Sequence, residues 1–195
     1  MIMKKTAITL GLTVLLLFIF LGGTGMFPSL EDDDIHDGRI HIHKPIQMPA
    51  HTPALKKQTL IFFGYVGCMD VCTPRLHEIA AIVNQYERQT YNHDLDVLFI
   101  NIDTTTTTHQ ADTFAKAFHP NFIGVTLPKN ELMKLTSMFN TYFSAGLRDK
   151  NEINHTQHLY LLRKDANQNH YLRNIYIKVP YDHKIILDDL IKEKQ

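Results

Sequence analysis

The chain has 195 residues, 44% of them hydrophobic, which is enough for one domain with a sizeable core. Its 20 basic and 20 acidic residues cancel, and with no block of basic charge the chain lacks the electrostatic footprint of a nucleic-acid binder. Histidine is abundant at 12, tryptophan is absent, and no internal repeat suggests a solenoid.

The first 27 residues, "MIMKKTAITLGLTVLLLFIFLGGTGMF", place Lys4 and Lys5 ahead of an uncharged apolar stretch. At roughly twenty residues it is long enough to cross a bilayer as helix, with the lysines left in the cytoplasm. The expected organisation is a cytoplasmic N-terminus at 1–5, a transmembrane signal anchor at 6–27, a tether and lead-in at 28–57, and a folded domain at 58–195. A cleaved signal peptide is the rival reading, but the stretch is long for one and no small-x-small cleavage site follows it. Either way the domain is exported, and without an Arg-rich transit peptide the expected setting is a bacterial envelope. The lead-in is polar and proline-bearing, with "GRIHIHKP" as a short hairpin arm. Its histidines (His36, His41, His43, His51) read as solvated surface.

"TLIFFGYV" (59–66) is a continuous apolar, β-branched and aromatic run, the mark of a short buried strand. After it, Leu76, Ile79, Ala80, Val83 and Tyr86 recur at helical spacing, and Pro74 suits a first helical turn. "LDVLFINID" (95–103) is the next strand, followed by a helix carrying Ala111, Phe114, Ala115 and Phe118. "NFIGVT" is a short strand, and "PKNELMKLTSMFNTYF" sets Leu132, Leu135, Phe139 and Tyr142 on one helical face. "HTQHLYLLRKD" and "HYLRNIYIKV" form a strand pair joined by "ANQN", and "YDHKIILDDLIKEK" closes as an amphipathic helix. The order β-α-β-α-β-α-β-β-α implies an α/β fold with a partly parallel sheet.

Cys68 and Cys72, the only two cysteines, stand at the first strand-to-helix junction, where such sheets present chemistry. At about 1.5 Å rise per residue, positions four apart on a helix face lie about 6 Å apart, close enough for a disulfide. They also leave room for an ion held by both thiolates. A helix N-terminus favours thiolate, which metal binding and disulfide exchange both need. His155, at the loop-to-strand boundary in "INHTQHLYLL", is the candidate third ligand, although taken alone a loop histidine is more often a satisfied polar residue.

"FFGYVGCMDVCTPRL" (62–76) resembles the F-G-Y/F-x-x-C-P-D-V-C-P-x-x-L signature of the Sco family (synthesis of cytochrome c oxidase, also SenC/PrrC), and "NHTQHLYLL" is similar to its D-H-S-x-x-x-Y-L motif. "FINID" matches F-I-S-V-D and "KAFHPNFIGVT" is close to K-A-F-H-P-x-F-I-G-L-T, so the resemblance runs from 58 to 194. It implies a thioredoxin-like fold, a central mixed sheet flanked by helices, following the N-terminal membrane helix. It also implies one copper ion, Cu(I) or Cu(II), held by Cys68, Cys72 and His155. The implied function is copper delivery to the dinuclear centre of cytochrome c oxidase, with the oxidase subunit and a copper donor protein as partners. Thiolates suit Cu(I), and an imidazole admits Cu(II). The alternative is a thiol-disulfide oxidoreductase with Cys68 and Cys72 as its redox pair, reducing cysteines of the oxidase subunit or another envelope protein. Zinc, a thiol peroxidase and a purely structural disulfide rank behind these two.

The chain departs from the family pattern at Met69, in place of a proline, and at Asn154 and Thr156, in place of the aspartate and serine around the histidine. Asp103 corresponds to the family's aspartate after the second strand, with a supporting or docking role or simply a polar strand end. Tyr65 and Phe63 are expected to pack around the site. Met69 is expected to be a hydrophobic contact, and His158 to face away from His155.

Overall fold

The computed structural model describes residues 35–90, 94–146 and 152–192. The expected membrane anchor lies outside them, and among the described residues no helix is long and apolar enough to cross a membrane. In chain order the elements are β1 (Ile35–His36), β2 (Arg39–Ile46), β3 (Gln58–Gly64), α1 (Cys72–Thr90), β4 (Leu95–Asn101), α2 (Thr108–Lys116), β5 (Phe122–Thr126), α3 (Lys129–Met138), β6 (Phe143–Ala145), β7 (Ile153–His155), β8 (Leu159–Lys164), β9 (His170–Tyr176) and α4 (His183–Lys192).

Seven strands form one mixed sheet in the order β1-β2-β9-β8-β3-β4-β5, and β6 and β7 make a separate two-stranded ribbon. β3, β4 and β5 are parallel, joined by α1 and α2 as crossovers, while β8 runs antiparallel to β3. β3 and β4 are buried along their whole length, which is why both read as near-continuous apolar runs rather than alternating ones. The stretch expected to be tether and lead-in supplies β1 and β2, and β2 pairs antiparallel with β9. Ile40, Ile42 and Ile46 alternate with more exposed residues along β2, and a bulge between His41 and Lys44 interrupts its pairing with β9.

Alternation along the strands feeds two cores. Leu60 and Phe62 meet α1, α2 and α4 on one face, and Ile61 and Phe63 meet α3 on the other. Helix α1 buries Leu76, Ile79, Ile82, Val83 and Tyr86, each of the larger ones contributing about 2 kcal/mol of transfer free energy. Tyr142 differs from its expected place: α3 ends at Met138, Phe139 caps it, and Tyr142 is 68% exposed. The chain turns there through Asn140 at φ 49°, a left-handed conformation that asparagine tolerates and that stops a helix.

Helix α2 lies so close to β5 that a Cβ at Gly124 would stand 2.1 Å from the Ala111 carbonyl oxygen. That neighbour is backbone and cannot rotate away. Gly124→Ala should therefore destabilise the fold by about 2–3 kcal/mol through overpacking, read as a lower urea midpoint, and an unchanged midpoint would show that α2 is free to shift.

Candidate metal centre

Three potential ligands converge at the end of the sheet's central strands, where β3 ends and β8 begins. The ligand atoms of Cys68, Cys72 and His155 all lie within 4.8 Å of one another. Both cysteines are buried, at 4% and 0% exposure, and histidine is half-buried.

The turn after β3 sets the first cysteine. Cys68 N–H donates to the Tyr65 carbonyl at 3.2 Å, and Gly67 adopts φ +85°, a conformation open to glycine without a side-chain penalty. Cys68 is not helical; α1 starts at Cys72, so the pair is one turn residue and one helix-start residue rather than two stacked helical positions. The helix start still joins them, because Cys72 N–H donates to Cys68 Sγ at 3.2 Å and Thr73 Oγ1 donates to the Cys68 carbonyl at 2.9 Å. Asn101, fully buried at the end of β4, accepts from Val66 N–H and donates to Thr126 Oγ1, anchoring the cysteine turn to the neighbouring strands.

His155 ends β7, and its ring is fixed from both sides. Nδ1 lies 2.9 Å from the Thr156 carbonyl; a carbonyl only accepts, so Nδ1 carries the proton and a neutral ring keeps its lone pair on Nε2. Nε2 faces Cys72 Sγ at 3.2 Å. Phe62 and Tyr65 stand edge-on to the ring, each with centroids 6.1 Å away. Thr156 is itself held, its N–H donating to the Tyr142 carbonyl at 3.0 Å. On the other side, Tyr181 OH donates to the Gln157 carbonyl at 2.7 Å.

The two sulfurs divide one proton. Hydrogen bonding from the Cys72 thiol lowers the Cys68 pKa to about 3, against burial and with help from the Cys72 and Val71 N–H groups. Hydrogen bonding to Cys68, together with burial, pushes Cys72 far above the ordinary thiol range. Tyr65 rises to about 12 through burial and the nearby Cys68 thiolate. Cys68 lines an open cleft of about 450 Å³ with Tyr65, Met69, Asp70, Glu152 and His155, whereas Cys72 lies behind that lining. The arrangement offers one thiolate lining the cleft, one thiol behind it and one imidazole lone pair, a donor set for a soft cation or for thiol exchange.

Phe63, expected at the site, belongs to the opposite core and packs on Phe139 and Tyr160; Phe62 takes that place. Asp103 accepts from Thr105 N–H and Oγ1, ordering its own loop, and is not among the cleft's lining residues. Met69 sits on the lip, 68% exposed. His158 is outside the cluster and stacks edge-on with Tyr160; burial lowers its pKa. Gly64 is the residue the motif contained without disclosing its role: a Cβ there would stand 2.8 Å from Cys72 Sγ and 2.9 Å from the Phe99 ring, so only hydrogen leaves room for the sulfur.

Fold and site define an α/β domain with a thioredoxin-like sheet and a Cys-x-x-x-Cys turn facing a histidine. The SCO1/SenC family model matches residues 53–185, more than half of the chain, and the protein belongs to that family. The human mitochondrial protein SCO1 homolog is 30% identical over 142 residues, covering 67% of this chain and 47% of the relative, so the chain spans about half that relative's length. The fold is similar to that of Arabidopsis thaliana ScoI, solved with copper bound (TM-score 0.61, 24% identity, 72% of this chain and 85% of that one). It is also similar to apo Sco1 from Thermus thermophilus (TM-score 0.60, 20% identity, 80% and 94%).

An acid whose pKa is lowered is deprotonated at every pH above the lowered value, so Cys68 is thiolate from pH 5 upward while an ordinary thiol gains about tenfold in thiolate per pH unit there. Iodoacetamide should therefore modify Cys68 at similar rates at pH 5 and pH 7 and leave Cys72 unmodified, as located by peptide mass spectrometry. A Cys68 rate that climbs about a hundredfold across that interval would overturn this distribution of the proton.

Proposed function

We propose that this protein is a copper metallochaperone, anchored in the bacterial inner membrane by residues 6–27 with its domain in the periplasm. It binds one copper ion through Cys68, Cys72 and His155 and passes it to the dinuclear copper centre of cytochrome c oxidase. A copper donor protein supplies the ion, and the oxidase subunit receives it. The observation that carries this reading is the convergence of the three ligand atoms within 4.8 Å, with the His155 tautomer already set so that Nε2 faces the sulfurs. Thiolates favour Cu(I), and the imidazole extends the site to Cu(II). Membership of the SCO1/SenC family and the copper found in the Arabidopsis relative support the choice of metal.

In this reading Cys68 engages the ion first, since it is the thiolate that lines the cleft. Cys72 gives up its proton as the second sulfur closes on the metal, so binding releases a proton. Release to a partner proceeds by exchange at the open side, where Cys68 is within reach of an incoming ligand.

The same geometry favours one further reading, a dithiol oxidoreductase in which Cys68 attacks a partner's disulfide and Cys72 resolves the mixed disulfide. A thiolate lining a cleft in front of a second, protonated thiol is the arrangement that chemistry uses. One titration separates the two. The reduced full chain, titrated anaerobically with Cu(I) against a competing chelator, is expected to bind one equivalent, and His155→Ala to weaken it by at least about a hundredfold. Binding indifferent to His155 would exclude the three-ligand site and leave the dithiol reading.

Topology has its own check. A phosphatase that is active only after export, fused after residue 57, should be active and remain with the membrane fraction. An inactive fusion, or one released as a soluble protein, would overturn the anchored, periplasm-facing placement.

A further inference from the structure

A second cleft, of about 640 Å³, lies on the other face of the sheet between the β2–β3 connection and α3. Its lining includes Met48, Met133 and Met138. The chain has seven methionines, and the four within the described residues are Met48, Met69, Met133 and Met138. Three therefore gather in this cleft, and the fourth stands on the lip of the cysteine cleft. Two parts of the chain separated by more than eighty residues supply the three, so a helical stripe does not account for the grouping.

Met133 is 53% exposed, and Met48 and Met138 are half-buried against the core. A thioether side chain has three rotatable bonds, so its sulfur can turn toward a ligand by a change of rotamer. Thioethers are soft and uncharged, and among biological cations they select Cu(I). The cleft also offers one carboxylate: Glu131 lines it, with Oε1 2.7 Å from His51 Nδ1 and Oε2 buried without a hydrogen-bond partner. One ammonium, Lys134, shares the lining.

We propose that Met48, Met133 and Met138 form a second, weaker Cu(I) site, with the Glu131 carboxylate balancing the charge of the ion; the choice of metal rests on the copper reading above. No electron moves in this step. Three neutral thioether sulfurs hold Cu(I) less tightly than two thiolates, so at equilibrium this site fills after the cysteine centre.

The test uses the full chain carrying Cys68→Ser and Cys72→Ser, with methyl-labelled methionine, titrated with Ag(I) as a redox-inert stand-in for Cu(I). The methyl resonances of Met48, Met133 and Met138 should shift together and saturate at one equivalent while Met69 stays in place. Met133→Leu keeps the volume and removes the sulfur, and should weaken that binding by at least about tenfold. Unmoved resonances, or a shift confined to Met69, would overturn the site. Because the cysteine centre is absent from this variant, that failure is distinct from failure of the Cu(I) titration of the unmodified chain, which tests the cysteine centre itself.

Discussion

Antiparallel pairing between β3 and β8 is the constraint on which the centre depends. Phe62 of β3 faces Leu159 of β8 across the ladder, so the end of one strand lies beside the start of the other. The cysteine turn leaves β3 at that end, and His155 precedes β8 at the same end, although 83 residues separate His155 from Cys72 in sequence. Slippage by two residues would keep both hydrophobic faces in place and yet carry the histidine about 7 Å from the sulfurs. Burial of β3 on both faces holds the register, since each side chain fits one core or the other.

Within that frame the polar groups leave few choices open. The Thr156 carbonyl assigns the imidazole proton to Nδ1, a role a neighbouring carboxylate often fills in metal sites. Asn154 stands where the family pattern has an aspartate, so here orientation of the ring comes from backbone, and the negative charge of the centre comes from sulfur. Hydrogen bonds to Cys68 from the thiol and N–H of Cys72 concentrate that charge on the sulfur lining the cleft. Burial keeps the second proton on Cys72 until a cation or an electrophilic sulfur gives a reason to release it.

The two faces of the sheet are chemically distinct. One core ends at the thiol pair, and the other, under α3, ends at the methionine cleft. Adjacent aromatics on one strand separate them: Phe62 stands edge-on to His155, while Phe63 packs on Phe139 and Tyr160. Thiolate and thioether groups therefore occupy separate surfaces of one small domain, each resting on a rigid aliphatic and aromatic base.

Much of this was legible from local pattern. Near-continuous apolar runs marked β3 and β4, helical spacing marked α1, and the motif around Cys68 and Cys72, with the one around His155, named the candidate ligands through a family resemblance. These features depend on short-range periodicity and residue chemistry, which a sequence carries directly. Joining of β2 to the sheet was hidden because its partner β9 lies more than 120 residues further along the chain, and the choice of Phe62 over Phe63 by a register that only pairing sets. The need for hydrogen at Gly64 arises from a sulfur eight residues further along, and the grouping of Met48 with Met133 and Met138 from packing of α3 on the sheet. By itself the sequence determined the elements and the donor atoms. The distances among those atoms, the proton each one carries and the face each one meets were decided by tertiary structure, because they depend on contacts between residues far apart in the chain.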